Sequence, residues 1–429
     1  MTELKLESSP APSKHTEKTA CEVYTRAQHG ISRRQIDPEA IKIMYRLIRN
    51  GYRAYLVGGG VRDLLLNKTP KDFDIATNAT PRRVKDLFRN SRIIGKRFKL
   101  IHVFFRGNKI IEVSTFRDIS DPIDPNDTQP TADALILRDN KYGTEETDAR
   151  RRDITINGLF YDISSFSILD YVGGMRDLQA GIIRVIGEPD VRFAEDPVRL
   201  IRVIRHACKA NFQIEESCYD SICRNAQLIT KSPEMRVYEE LKKDFVSGYA
   251  LSVLKLLAQT GVLQHVLPFN KAGASDLFDE GSEFASSLEA SDNAVLAGQT
   301  RTHTFPLALL ALYTKAPFLE AALDEFCNFE AIEEHLNTVF SLLAVPRREK
   351  EKLTTLLAGL VAAYGVSDLT YGAQQIHRFE LADELKYLGE FLPQINGLSD
   401  KVTDYLDSAA PTRSHSSRRR RKSPAHSRH

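Results

Sequence analysis

Little in this chain points to an extracellular or membrane setting. Five cysteines are spread over 429 residues, and Cys208, Cys218 and Cys223 lack the paired C-x-x-C spacing of a zinc site. The odd count, with no secretory leader in view, predicts reduced thiols in the cytoplasm. Residues 1–22 are polar and contain no apolar h-region, and no stretch is long and apolar enough to span a bilayer, so neither secretion nor a membrane anchor is expected. Charge of one sign is also scarce. Lys and Arg number 59 against 57 Asp and Glu, a formal net charge of +2, so a polyanion must be held by local patches. There is no fixed-period repeat, and no Ser-His-Asp or Cys-His set offers a protein nucleophile. At 42% hydrophobic, the chain can build two to four domains with cores of their own.

What is present is concentrated in residues 58–74, Gly-Gly-Gly-Val-Arg-Asp-Leu-Leu-Leu-Asn-Lys-Thr-Pro-Lys-Asp-Phe-Asp. The apolar run 53–57 reads as a buried strand that stops at Gly58, Gly59 and Gly60, with a helix expected from about Val61. Glycines let backbone N–H groups approach a phosphate, the helix start adds the positive end of its dipole, and Arg62 adds charge. An ordinary strand-to-helix turn fits the glycines equally well, and Asp63 occupies the third-glycine position of a dinucleotide fingerprint. Residues 71–75 read as a strand, so Asp72 and Asp74 share a face while Phe73 and Ile75 turn to the core. Two adjacent carboxylates repel unless a cation lies between them, and hard oxygen ligands suit magnesium or manganese. A solvated strand end is the bland alternative.

Further along, 109–115 is a strand carrying Glu112, which needs a partner or a metal if buried and otherwise faces solvent. In Asp148-Ala-Arg-Arg-Arg-Asp153-Ile-Thr-Ile-Asn157, arginines can clamp triphosphate oxygens, and Asp153 can take a ribose hydroxyl or lie beside the metals. A surface ion-pair patch gives the same pattern. Glu195-Asp196-Pro-Val-Arg199-Leu-Ile-Arg202 opens a helix on which Asp196, Arg199 and Arg202 form one polar row. Such a row can read adenine or cytosine by an acceptor beside a donor, or can be simple ion pairing.

In order along the chain, Gly58-Gly-Gly-Val-Arg-Asp63, Lys71-Asp-Phe-Asp74, Ile111-Glu-Val-Ser-Thr-Phe-Arg117, Arg151-Arg-Asp153 with Asn157, Tyr171-Val-Gly-Gly174 and Glu195-Asp196-x-x-Arg199 resemble the motifs of the class II nucleotidyltransferases, the bacterial poly(A) polymerases and CCA-adding enzymes. The resemblance covers roughly residues 28–245 and is specific as an ordered set. Within it, Gln28-His-Gly-Ile-Ser-Arg-Arg34, Ile93-Ile-Gly-Lys-Arg-Phe-Lys-Leu-Ile-His-Val103, Leu137-Arg-Asp-Asn140 and the Arg-rich end look more like the poly(A) polymerase branch. The resemblance implies an α+β fold: a nucleotidyltransferase-type mixed sheet as the head, followed by all-helical neck, body and tail.

It further implies a two-metal mechanism in which Asp72 and Asp74 bind the two catalytic magnesium ions, with Asp153 beside them as a further active-site acid. Gly58, Gly59 and Arg62 would hold the triphosphate, Arg152 the nucleotide's sugar or phosphates, and Asp196 and Arg199 the adenine; Glu112 and Arg202 are additional candidates. Ile154, Gly158 and His206 depart from the residues common at those family positions, Phe, Ser or Ala, and Phe, without removing a charged group. The activity implied is template-independent addition of AMP from ATP to RNA 3′ ends. CCA addition to tRNA is the chemical alternative, and a catalytically silent RNA-binding module is the alternative of another class. RNA, ATP and RNA-degradation or RNA-chaperone proteins are the implied partners of a cytoplasmic monomer.

The expected map is a flexible arm over 1–37, a catalytic head over 38–182, a neck over 183–250, a helical body and tail over 251–408 and a disordered Arg-rich end over 409–429. A helix is expected over 38–50, another from Thr80-Pro81 to about Asn90, and helical spacing recurs over 233–246, 251–257, 306–313 and 331–343. The small, polar residues 270–304 predict a long loop or insertion. Residues 82–106 are rich in Lys and Arg, and 413–429 carry seven Lys or Arg and no acid, a salt-sensitive tether to an RNA backbone or a merely solvated run.

Overall fold

The structure, a computed structural model, describes residues 21–95, 99–118, 141–267, 277–279, 281–315, 323, 326, 328–365, 372–392 and 397–408. The segments 96–98, 137–140 and 413–429 singled out above lie outside the described residues. The chain divides into two compact units, 1–225 and 226–429.

A mixed eight-stranded sheet organises the first unit. Its strands are β1 (Glu22–Tyr24), β2 (Ala54–Val57), β3 (Asp74–Thr77), β4 (Ser91–Ile94), β5 (Leu100–Phe104), β6 (Ile110–Thr115), β7 (Leu159–Asp162) and β8 (Ser167–Asp170). Their spatial order is β1-β8-β7-β2-β3-β6-β5-β4; β3 and β6 run parallel, and the remaining neighbours are antiparallel. Side chains alternate between two faces. Ala54 and Leu56 of β2 join Ile75, Ile101, Val103, Val113 and Tyr161 in the larger core, whereas Tyr55 and Val57 join Ala76, Phe116 and Phe160 on the other face.

Helix Pro38–Arg49 supplies the larger core with Ile43, Met44 and Leu47. Asp37 fixes where it begins by accepting from the N–H groups of Glu39 and Ala40 at 2.8 and 3.3 Å, with Pro38 at the first position, where no N–H is missed. Each such large apolar side chain contributes about 1.5 to 3 kcal/mol by leaving water.

The arm differs from expectation. From Glu22 onward it is folded: β1 pairs with β8, and Ile31 and Ile36 are buried in the core, an apolar anchorage masked by the polar residues around them. Helix Pro81–Leu87 begins at its Thr80 cap as expected but stops short of Asn90, because Phe88 leaves helical geometry and turns into the core ahead of β4.

In the second unit the described residues form helices and turns and no strand, in keeping with the expected α+β class. Helix Arg347–Tyr364 is its spine and buries Leu353, Leu356, Leu357, Leu360 and Val361. The loop expected over 270–304 is in part a helix, Glu283–Leu296. Ser282 caps it, and its small Ser and Ala residues allow close packing while hiding the apolar period. Buried Asp292 on this helix accepts from the N–H groups of Ala250 and Leu251, which start helix Ala250–Gln259. Among the described residues no helix is long and apolar enough to cross a membrane.

One buried carboxylate fixes the first unit's geometry near the motifs. Asp170, at the end of β8, accepts four backbone N–H groups: its Oδ1 takes Val172, Gly173 and Gly174 at 3.0, 2.8 and 3.0 Å, and its Oδ2 takes Met175 at 2.9 Å. Gly173 has φ +80°, and a Cβ on Gly174 would collide with the Thr155 carbonyl. The turn thus presses helix Gly174–Ala180 against residues 155–157. Asp170→Ala should lower unfolding stability by about 3 kcal/mol in denaturant titration, and Asp170→Asn, which keeps the oxygen serving three of the four donors, by distinctly less.

Candidate active site

Asp74 opens β3, and Asp72, exposed, lies two residues earlier. The strand starts at Asp74 rather than Lys71 because its partner β2 ends at Val57, directly opposite Asp74, before the chain turns away at Gly58. Phe73 and Ile75 pack into the larger core, which leaves Asp74 on the face of Val57 and Ala76. Glu112 on parallel β6 stands one register position before the Ile75–Val113 pair and so flanks Asp74. Its side chain is exposed, the solvent-facing alternative, and lies 3.2 Å from His102 Nε2. Burial pushes the Asp74 carboxyl up to about 6; Glu112 and Asp72 add to the rise, and Arg152 opposes it.

Gly58 has φ +70°, and a Cβ there would stand 3.2 Å from Arg152 Nη1 and 4.0 Å from Asp74 Oδ2. The glycine therefore admits a cation and an acid to the turn as well as granting the backbone its conformation. The helix it caps begins at Gly59, two residues earlier than the expected Val61, and runs Gly59–Leu65. Arg62 is turned inward: Nε and Nη2 donate to Asp63 Oδ1 at 3.0 and 2.7 Å, and Nη1 donates to Asn157 Oδ1 at 2.9 Å.

Asp148 is the residue that motif reading passes over. It is fully buried on helix Glu145–Arg150 and accepts from Arg117 N–H at 3.1 Å, Arg151 Nε at 2.8 Å and Arg152 Nη2 at 3.1 Å. Its spacing of three and four residues before the two arginines is the available signal. Burial opposes ionisation of Asp148, but the charges of Arg152 and Arg151 hold its carboxyl below the usual range. Arg152 is thereby laid over the Phe160 ring, 5.3 Å from its centre, and its buried Nε has no hydrogen-bond partner among the described residues. Arg192 braces the same segment, donating from Nη2 to the carbonyls of Arg151 and Arg152 at 2.8 and 2.9 Å.

The structure brings Asp153 to Arg202, whose Nε and Nη2 donate to Oδ2 at 3.0 and 2.6 Å, while Ile154 N–H donates to Oδ1 at 3.0 Å. Burial alone would raise the Asp153 carboxyl; Arg202's charge and hydrogen bonds instead hold it far below the usual carboxylate range. The expected polar row is divided. Asp196 ends helix Pro189–Glu195, and the next helix, Arg199–Ala210, carries Arg199 and Arg202. Arg199 Nη1 donates back across the junction to the Arg192 carbonyl at 2.9 Å and to Glu195 at 3.2 Å. The cause is Asp196-Pro197, since the residue before a proline avoids helical geometry. The apolar side of the helix is as expected: Leu200, Ile201, Val203 and Ile204 are buried.

Residues 54–184 match the family model described as the Poly A polymerase head domain, and residues 211–272 match one described as the probable RNA and SrmB-binding site of polymerase A. The chain is 38% identical over 440 residues to poly(A) polymerase I of Escherichia coli O6:H1, spanning 94% of this chain and 92% of that protein. It is 33% identical over 239 residues to a CCA-adding enzyme of Bacillus pumilus, spanning 56% of this chain and 57% of that one. Among solved structures, the Bacillus stearothermophilus CCA-adding enzyme in complex with CTP aligns with a TM-score of 0.58 at 23% identity, covering 87% of this chain and 83% of that one, a likeness of fold.

Because Asp148 ionises below 3.8 in the fold, its pairing with the two arginines stabilises the protein fully above that pH. The stabilisation disappears as pH falls through the depressed value. Asp148→Asn should therefore cost about 3 kcal/mol at pH 7 by denaturant titration, with the gap to wild type closing in acid.

Proposed function

The chain belongs to the poly(A) polymerase I family, and we propose from that premise that it extends RNA 3′-hydroxyl ends with AMP taken from ATP, without a template, releasing pyrophosphate. One observation carries this reading onto particular residues: Asp74, its ionisation opposed by burial and by Glu112 and Asp72, stands beside the Gly58 turn and the Arg152 guanidinium. Such a crowded carboxylate is relieved by a divalent cation. Among the described residues no three or more acids, histidines or cysteines form a ready metal cage. A pair of carboxylates fits magnesium, which keeps several waters and is completed by substrate phosphates.

In this reading Asp72 and Asp74 hold magnesium or manganese. The ion, when bound, neutralises triphosphate charge and lowers the pKa of the attacking 3′-hydroxyl. Gly58 and Gly59 let the backbone approach the phosphates. Arg152, held by Asp148 over Phe160, offers its guanidinium to the nucleotide's phosphates or sugar, and no rotamer needs to be found during the reaction. Arg62, fixed by Asp63 and Asn157, supplies positive charge behind the turn. Asp153 holds Arg202 in place, and Asp196 with Arg199, at the junction of two helices, receives the adenine edge. The match of 211–272 supports an RNA contact and a protein partner there, and residues 413–429 would add a tether to the RNA backbone. We assign the chain to the cytoplasm as a monomer.

The test supplies the protein and magnesium with a generic RNA and with tRNA lacking CCA, giving ATP and CTP singly and together. Long adenylate tails on generic RNA with ATP alone are expected. Extension that stops after CCA on tRNA would assign the chain to CCA addition, and no extension under any condition would make it a silent module. Asp74→Ala should cut extension by at least about a thousandfold, roughly 4 kcal/mol of transition-state stabilisation, with an unchanged melting curve. Removal of residues 413–429 should flatten the salt dependence of RNA affinity by about 0.7 in log–log slope for each phosphate that the shortened chain no longer neutralises.

A further inference from the structure

His206 lies one helical turn beyond Arg202 on helix Arg199–Ala210, so both side chains meet residues 153–157. Its Nδ1 is 3.3 Å from Arg62 Nη1, and its Nε2 is 3.3 Å from Asn157 Nδ2 and 4.0 Å from Asp153 Oδ2. A guanidinium can only donate, so Nδ1 is the acceptor and the neutral ring carries its proton on Nε2; that N–H faces the Asp153 carboxylate without reaching hydrogen-bond distance, and its approach to Asn157 Nδ2 is a contact between two donors. Burial pushes the imidazole down to about 3; Asp153 resists this, and the charges of Arg62, Arg202 and Arg205 reinforce it. The ring is therefore neutral at any working pH, and Nδ1 stays available to Arg62.

We propose that His206 is a positioning residue for nucleotide binding: together with Asn157 it fixes Arg62, behind the glycine turn, and Asn157 carries the link on to Asp153 and through it to Arg202 on the base-side helix. The physical need is visible in how Arg62 is held. Two of its three nitrogens go to Asp63, its own neighbour in sequence, which leaves the pair free to swing together. The third nitrogen is shared by Asn157 and His206, from two other elements, and these fix its direction. Asn157 in turn donates to Asp153 Oδ1 at 3.4 Å, so the phosphate-side arginine and the base-side arginine are joined through one hydrogen-bonded cluster. A ring that lacks the acceptor leaves Arg62 with one anchor fewer, and its charge is then less well placed for the incoming triphosphate in ground state and transition state alike.

This inference rests on the nucleotide site proposed above. Primer extension with ATP varied separates KM from kcat for wild type, His206→Phe and His206→Gln, each with a thermal melt. His206→Phe keeps an aromatic ring and removes the acceptor; it should raise KM for ATP about tenfold, the scale of one hydrogen bond to a charged group, with kcat within about twofold. His206→Gln, whose amide oxygen can accept from Arg62, should recover most of that loss. A wild-type KM in His206→Phe, a loss confined to kcat, or equal losses in both variants would overturn the proposal. If His206→Phe does not fold, Arg62→Lys, which keeps the charge without the planar fork, should reproduce the rise in KM, and a wild-type KM there would overturn it. A wild type that fails to extend RNA would defeat the underlying reading of the site, whereas variants that match an active wild type defeat this inference alone.

Discussion

Asp74 carries a charge that its surroundings resist. It opens a central strand, is largely enclosed, and has Glu112 and Asp72 as near carboxylates, with Arg152 as the opposing cation. The carboxyl is raised to about 6, which means that the folded protein keeps an unmet demand for positive charge at this point. The other devices in the first unit serve that demand. Gly58 has no side chain where Arg152 and Asp74 approach the turn, and the sheet register sets Val57, Asp74 and Glu112 in adjoining rows.

Around the acids, positive charge is distributed by buried and half-buried carboxylates. Asp148 takes Arg151 and Arg152, Asp63 takes Arg62, and Asp153 takes Arg202. Each pairing occupies part of a guanidinium and leaves the rest aimed. A buried ion pair of this kind adds little net stability compared with apolar packing, because desolvation offsets most of the attraction. Its value is direction. The loops that bear the motifs are tied down in the same way, with Asp170 gathering four N–H groups of the turn that backs the 155–157 segment.

Much of this is legible in the sequence, and the limits have physical causes. The glycine turn and the strand that opens at Asp74 are local patterns, so both can be read directly, whereas the expected strand from Lys71, on which Asp72 and Asp74 would share a face, begins only at Asp74. The mixed sheet and the helical remainder are what the family resemblance of the ordered motifs implies. Asp148 escapes notice because an acid three and four residues before arginines looks the same in a buried clamp and on a solvated helix. The inward turn of Arg62 depends on Asn157 and His206, 95 and 144 residues away. The helix Glu283–Leu296 reads as a loop because its buried positions include Ser287, Ser291 and Asp292, which carry no hydrophobic signal. Asp196 reads as part of a helix whose continuity its following proline breaks.

We propose that the Asp72 and Asp74 site transfers a nucleotidyl group to an RNA hydroxyl. Pyrophosphate released and AMP incorporated should be counted together, on RNA ending in a 3′-hydroxyl and on the same RNA ending in a 3′-deoxynucleotide. One pyrophosphate is expected for each AMP added on the first RNA and neither product on the second. Release of ADP or orthophosphate in place of pyrophosphate, or pyrophosphate release that does not need the 3′-hydroxyl, would contradict it.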